Sequence, residues 1–229
     1  MAHSLAIFET SPPAAGGGGG WTLVQAKHTD GGSGVSNVAA TFDSNVTSGN
    51  LIVAVVTYGN NSDFFTNTTD SQGTHTEYTG GGAHRSASYS GSIYVTFRVA
   101  TATGAMTVTG NFTTTLNETS IDIMEFSGNN ATPSDAKFNS GEGSSTAPNS
   151  GAITPSVDGC LVLGAAITCY HGFNFTKGAS FTDASSGTRA TTNKSHVEYL
   201  EQETAASIAA DWSLSSSDEW LACVVSFKP

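Results

Sequence analysis

Ser48-Gly49-Asn50 leads into Leu51-Ile52-Val53-Ala54-Val55-Val56 and later Thr69-Asp70-Ser71-Gln72-Gly73, and the same order returns as Val157-Asp158-Gly159, Cys160-Leu161-Val162-Leu163, then Thr182-Asp183 and Gly187. A turn, an unbroken apolar strand and an Asp-bearing turn therefore occur twice. The run at 51–56 is apolar on both faces, which is the mark of a central strand covered on each side. The echo continues at a constant offset of 102, where Val95, Phe97, Met106, Ile121 and Ile123 align with Val197, Tyr199, Ile208, Cys223 and Val225. These spacings predict an all-β chain, a single jelly-roll-like β-sandwich built from two pseudo-repeated strand sets at about 38–128 and 151–229. Two interlocked Greek keys would satisfy such a pattern.

The body of this sandwich runs over 21–229, opening with the edge-like strand that begins at Trp21. Ile93, Val95, Phe97 and Val99 alternate with Tyr94, Thr96 and Arg98, the period of two that a half-buried strand needs. Between the repeats, 128–150 is rich in Asn, Ser, Gly and Pro and reads as a long crossover. One segment is two-sided: Val197, Leu200, Thr204, Ile208 and Trp212 fall at helical spacing. Its counterpart at 92–112 is β-branched and alternates, so strand is the expectation there too.

Residues 1–20 differ from the body. Leu5, Ile7 and Phe8 form a short apolar segment, followed by Pro12-Pro13 and glycines at 16–20, a tether with a reach of about 12 Å. Read functionally, Leu5, Ile7 and Phe8 anchor the protein to a partner by adding to a neighbour's sheet edge; a disordered terminus is the competing reading. The opening residues lack a basic n-region, and their apolar run is too short for a signal peptide. Either the chain reaches its destination without a signal, as a virion component would, or a signal has been lost ahead of it.

Charged residues make up only 12% of the chain, and 19 acidic against 8 basic residues leave a net charge of -11. That balance repels phosphate backbones, and the basic residues form no stripe, so nucleic acid is not an expected partner. Nor is membrane insertion, because no stretch reaches the roughly 18 consecutive apolar residues of a spanning helix. An uncharged surface rich in Gly, Ser, Thr and Asn suits a virion or extracellular protein.

The strand and turn pattern of Ser48-Gly49-Asn50-Leu51-Ile52-Val53, Thr69-Asp70-Ser71-Gln72-Gly73 and 121–128 resembles jelly-roll modules of bacterial surface proteins and of phage virion proteins such as decoration and fibre proteins. The resemblance spans most of 21–229 and implies a fold and a location, with no active site to transfer. It makes the expected function non-enzymatic: a capsid decoration or head-fibre protein whose partners are other virion or cell-surface proteins, or further copies of itself.

The alternative is a carbohydrate-binding module or adhesin. Asp70 and Val95 are 25 residues apart and Asp183 and Val197 only 14, so the first repeat carries an insertion of about eleven residues in the loop 78–92. Long loops on a rigid scaffold carry function. Tyr78, His84, Arg85 and Tyr89 are the candidate ligand-binding residues there, since aromatic faces beside polar groups suit a sugar or a protein partner; folding of these aromatics over the core is the competing reading.

A glycoside hydrolase or lyase would need two acids about 5 to 10 Å apart across a cleft. Glu198, Glu201 and Glu203 cluster in sequence and Asp122 with Glu125 flank a strand, and solvated strand charges are the preferred reading of them. No cofactor is expected. His75, Glu77 and His84 show no zinc spacing, and calcium, which takes loop oxygens, could use Asp63, Asp70 or Asp183, although Asp in such turns usually caps its own backbone. Cys160, Cys169 and Cys223 read as buried free thiols, with a bridge from Cys223 as the rival.

Overall fold

A computed structural model describes residues 20–78, 83–85, 87–186 and 193–229, the side chains of 83–85 and Ser186 excepted. In chain order the strands of the first repeat are β1 (Thr22–Gly32), β2 (Val35–Thr41), β3 (Leu51–Tyr58), β4 (Phe65–Asp70), β5 (Gly73–Thr74), β6 (Thr76–Glu77), β7 (Ala83–Arg85), β8 (Ser92–Val99), β9 (Thr107–Leu116) and β10 (Thr119–Ser127). Those of the second are β11 (Ser134–Ser145), β12 (Asn149–Ile153), β13 (Cys160–Thr168), β14 (Phe175–Thr176), β15 (Thr182–Ser186), β16 (Ser195–Gln202), β17 (Ile208–Asp211), β18 (Ser213–Leu214) and β19 (Asp218–Phe227). Among the described residues there is no helix, and so none long and apolar enough to cross a membrane.

The large sheet of the first repeat has the order β1-β10-β3-β8-β6, with β7 also on β8, and faces a small sheet β2-β9-β4-β5. The second repeat copies the plan: β11-β19-β13-β16-β15 is its large sheet, and β12-β17 with β14-β18 form the facing layer. Each repeat thus deals its strands to two sheets in jelly-roll order. The expected Greek keys do not interlock. Every described strand pair lies within one repeat, and the two rolls meet by side-chain packing and by hydrogen bonds outside the strand ladders, among them Tyr78 to Ser226 and Ser195 to Asp122.

That packing explains why the run at 51–56 has no polar face. Leu51, Val53 and Val55 point into a central core shared with Leu161, Leu163, Ala165 and Ile167 of β13 and Leu221, Cys223 and Val225 of β19. Ile52, Ala54 and Val56 point the other way, into the core of the first roll with Val38, Val108 and Phe112. Val162, Ala166, Ala222 and Val224 do the same in the second roll against Trp212 and Leu214. The molecule is therefore four layers deep, small sheet, large sheet, large sheet, small sheet. Each fully buried Val, Leu or Ile in the two middle layers contributes about 1.5–3 kcal/mol.

Two boundaries differ from expectation. The segment 128–150 is not a loop: it holds β11, the counterpart of β1, at the edge of the second large sheet. An edge strand needs few apolar residues, and β11 is broken by a register shift between Ser134 and Phe138, where Ala136 adopts φ 52. The repeats accordingly begin earlier than the apolar runs alone suggest, at β1 and β11. Within 197–212 the chain forms β16 and then β17 rather than a helix, and β16 is held between β13 and β15 on both edges.

The three cysteines are free and buried. Cys223 lies opposite Ala165 in the register, several residues from both Cys160 and Cys169, so no bridge fits. Burial pushes all three thiols up, Cys223 to about 12, and they behave as small apolar side chains.

Candidate functional site

The two rolls point their longer connections to one end. The turn at Gly91, closing the 78–92 loop, sits against Ile167, Cys169 and Leu221 of the second roll, and the turn at Gly59 sits against Glu118 and Asn193. The backbone N–H of Ala87 donates to Glu142 at 3.0 Å, and Ser92 Oγ donates to the Asn60 carbonyl at 2.6 Å. Loops of both repeats therefore form one composite surface. Gly159, at the opposite end of β13 from Cys169, accepts a hydrogen bond from Trp21 Nε1 at 2.9 Å, while the Trp21 N–H donates to Glu201 at 3.0 Å. The start of the body is thus fixed at the far end.

The most exposed aromatic of this loop end is Tyr170, 60% exposed, just beyond β13. Its ring meets His171 edge-on at 4.3 Å between centroids, and His171 stacks on Phe173 at 5.4 Å. The buried carboxylate of Asp218 holds the segment from beneath, accepting the N–H groups of His171 at 3.0 Å, Gly172 at 3.1 Å and Glu219 at 2.8 Å. Gly172 has φ 65, which carries the chain across that carboxylate. A buried anion that accepts several backbone N–H groups makes the loop rigid, so its aromatic faces are presented without an ordering cost on contact.

The sequence reading did not single out this aromatic set. The signal was a Tyr-His-Gly-Phe run directly after a doubly buried strand. What concealed it was the bracing: Asp218 lies 47 residues from His171.

The residues expected to bind ligand are placed differently. Tyr78 is not on the surface: it is 1% exposed, edge-on to Phe97 at 5.9 Å and to Phe227 at 5.3 Å, and its hydroxyl donates to the Ser226 carbonyl at 2.5 Å. Its alternation with the exposed Glu77 turns it into the central core. Tyr89 is half-buried and packs on that core. His84 and Arg85 are in β7, opposite Ile93 and Ser92 of β8, with side chains outside the described set. Leu5, Ile7 and Phe8 lie outside the described residues.

The acids read as solvated are mostly buried. Glu125 accepts from Gln25 Nε2 at 2.6 Å, the Thr47 N–H at 2.8 Å and Asn50 Nδ2 at 2.7 Å, tying the Ser48-Gly49-Asn50 turn to β10. Asp122 crosses the boundary between the rolls, accepting from Ser185 Oγ at 2.5 Å and Ser195 Oγ at 2.9 Å of the second and from His28 of the first at 2.8 Å. Asp122 and Glu125 thus face opposite ways and share no cleft.

Asp70 caps its own turn, as expected, through the Gln72 N–H at 2.6 Å, and also accepts from His75 Nε2 at 2.9 Å and Arg98 at 3.0 Å. Burial would raise the Asp70 carboxyl, but these donors and charges outweigh it and hold it below the usual range. His75 is kept neutral, first by burial and then by Arg98, against the pull of Asp70. Asp63 accepts from the Tyr94 hydroxyl at 2.7 Å, and Asp183 pairs with His196 at 3.1 Å. Among the described residues no three His, Cys, Asp or Glu side chains gather as a metal site.

His28 has the opposite electrostatics to His75. Burial pulls its pKa down, yet hydrogen bonds and charge from Asp122 and Asp30 outweigh this and raise it to about 9. A raised folded pKa stabilises fully below the unfolded value of 6.5 and loses that contribution as pH rises through about 9. Between those limits, urea unfolding should show the parent losing up to about 3 kcal/mol that a His28→Gln variant does not lose. Equal slopes for both proteins would contradict the pairing.

No family model matches this chain, and comparison with curated proteins finds no match.

Proposed function

We propose that this chain is a non-enzymatic surface protein, a virion accessory protein of the decoration or head-fibre type, fixed through the segment that precedes Trp21 and presenting its loop end outward. One observation carries the reading: the body has two functionally different ends. The first described residues sit at one, against Gly159 and Glu201, and the connections of both rolls, with the aromatic loop, sit at the other. Such polarity suits a spacer that is held at its base and meets partners at its tip. The four-layer interior, in which Asp122 and Glu125 are held by donors from several strands, supports a structural role over a catalytic one.

Density-gradient sedimentation with particles from the source tests this. The full chain should enter the particle band, whereas a chain starting at Gly20 should remain folded by circular dichroism and stay at the top. A full chain that never enters the band counts against the proposal.

A second reading, recognition of glycans as an adhesin, is favoured by the braced Tyr170-His171-Phe173 surface, because the apolar face of a pyranose stacks on aromatic rings. On a glycan array, Tyr170→Ala should abolish any binding of the parent, while a Tyr89→Ala variant should keep most of it. Full retention by the Tyr170 variant would remove the loop from the site.

A further inference from the structure

At the base of the molecule a cleft of about 410 Å³ opens where Thr76, Arg98 and Val99 of the first roll face the connection 131–134 and Lys228. Its volume falls within the range of small-molecule sites, about 300–1,000 Å³, and is too small for a protein partner's surface. The charge of this cleft is opposite to that of the protein. The chain has 8 basic residues against 19 acidic, yet two of the basic ones and no Asp or Glu line the cleft.

Both cations face the cleft, Arg98 already paired on one edge with Asp70. Arg98 is held by one edge, Nη1 donating to Asp70 at 3.0 Å, and lines the cleft with the rest of its guanidinium. Asp70 is itself fixed by His75 and the Gln72 N–H, so the guanidinium is set in place. Asp135, next to the lining residue Ser134, turns away: its carboxylate accepts from Ser226 Oγ at 2.7 Å, the Ser156 N–H at 3.0 Å and the Ser156 hydroxyl. That leaves the Lys228 ammonium without an ion-pair partner among the described residues.

The remaining lining is mixed. Thr76, Thr132 and Ser134 supply hydroxyl groups, and Val99 and Pro133 supply apolar surface. A simple aliphatic acid would leave the hydroxyls idle, and a neutral sugar would leave the cations idle. We propose that this cleft binds an acidic sugar of the uronic-acid class, its carboxylate on Arg98 and Lys228, its hydroxyls on Thr76, Thr132 and Ser134, and its ring face on Pro133 and Val99. Planar, forked guanidinium donors suit a carboxylate, and the ammonium adds a point charge. The site is distinct from the aromatic loop at the other end and stands whichever reading of the function holds.

Isothermal titration of the full chain with glucuronate tests the proposal, with glucose and acetate as comparisons. Glucuronate should bind one to one, and glucose and acetate at least about tenfold more weakly, each lacking one half of the recognised chemistry. Lys228→Gln should weaken glucuronate by at least about tenfold, the loss of one charge-assisted hydrogen bond, without lowering the melting temperature. Arg98→Lys, which keeps the charge beside Asp70 but removes the fork, should weaken it similarly. Absence of glucuronate binding, or binding that Lys228→Gln leaves unchanged, overturns the site. Acetate binding as tightly as glucuronate overturns the sugar.

Discussion

Tyr78→Ala is expected to destabilise the protein by about 3–5 kcal/mol, the cost of emptying a buried aromatic site. The ring belongs to the first roll but fills the central core, edge-on to Phe97 of its own sheet and to Phe227 of the other. Its hydroxyl donates to the Ser226 carbonyl and accepts the Lys137 N–H at 3.2 Å, so both strands it touches beyond Phe97 belong to the second roll. The variant therefore weakens the contact between rolls rather than either roll alone. Urea unfolding should show a lower midpoint, and a shallower or split transition if the rolls come apart before they unfold. Tyr78→Phe, which keeps the ring but strands the Ser226 carbonyl and Lys137 N–H, should lose only about 1–3 kcal/mol. A Tyr78→Ala protein of parental stability that had lost ligand binding would return this residue to the surface role expected from its place in the 78–92 loop.

The opposite sign is expected at Glu198. Its side chain is fully buried on β16, one oxygen accepting the Gly178 N–H at 2.9 Å and the other without a partner. Burial, aided by the charges of Asp211 and Asp183 and opposed by backbone hydrogen bonds from Gly178 and Asp211, pushes its carboxyl up to about 8. For an acid whose folded pKa is raised, the folded state holds the proton longer than the unfolded one, so stability falls as pH rises from the ordinary value of 4.5 through about 8. The full penalty above that window is up to about 5 kcal/mol. Glu198→Gln keeps an acceptor for Gly178 and removes the ionisation, so it should stabilise the protein by a few kcal/mol at pH 9 and by little at pH 5. Unfolding curves at the two pH values check this. A variant less stable than the parent at pH 9 would mean that the folded protein gains from the Glu198 charge.

These two residues mark where the sequence reading stopped. Tyr78 reads as a loop aromatic that either meets a ligand or folds over the core, and Glu198 as one of three nearby acids expected to be solvated because charged side chains are mostly exposed. Tyr78 precedes the inserted loop and follows Glu77, and nothing local reveals that Phe227 and Ser226 arrive from the other repeat to enclose it. Asp122 reads as a solvated charge until Ser185 and Ser195 are brought onto it from the second roll. Burial of a polar group depends on distant partners, and a linear pattern of apolar residues does not report them.

What the chain determined by itself is what local chemistry can encode. The doubly apolar runs at 51–56 and 160–163, the period of two at Ile93, Val95 and Phe97, and the turns at Asp70 and Gly159 specify strands and their repetition, because side-chain alternation is a property of the strand alone. Tertiary structure decided which layer each face meets. The same apolar Val53 and Ile52 would serve one sandwich or two, and only the docking of one large sheet on the other directs Val53 to a shared core and Ile52 to a private one. That choice also leaves the loops of both rolls at one end and the Arg98 and Lys228 cleft at the other, since stacking two sheets fixes the relative position of residues that the backbone keeps far apart.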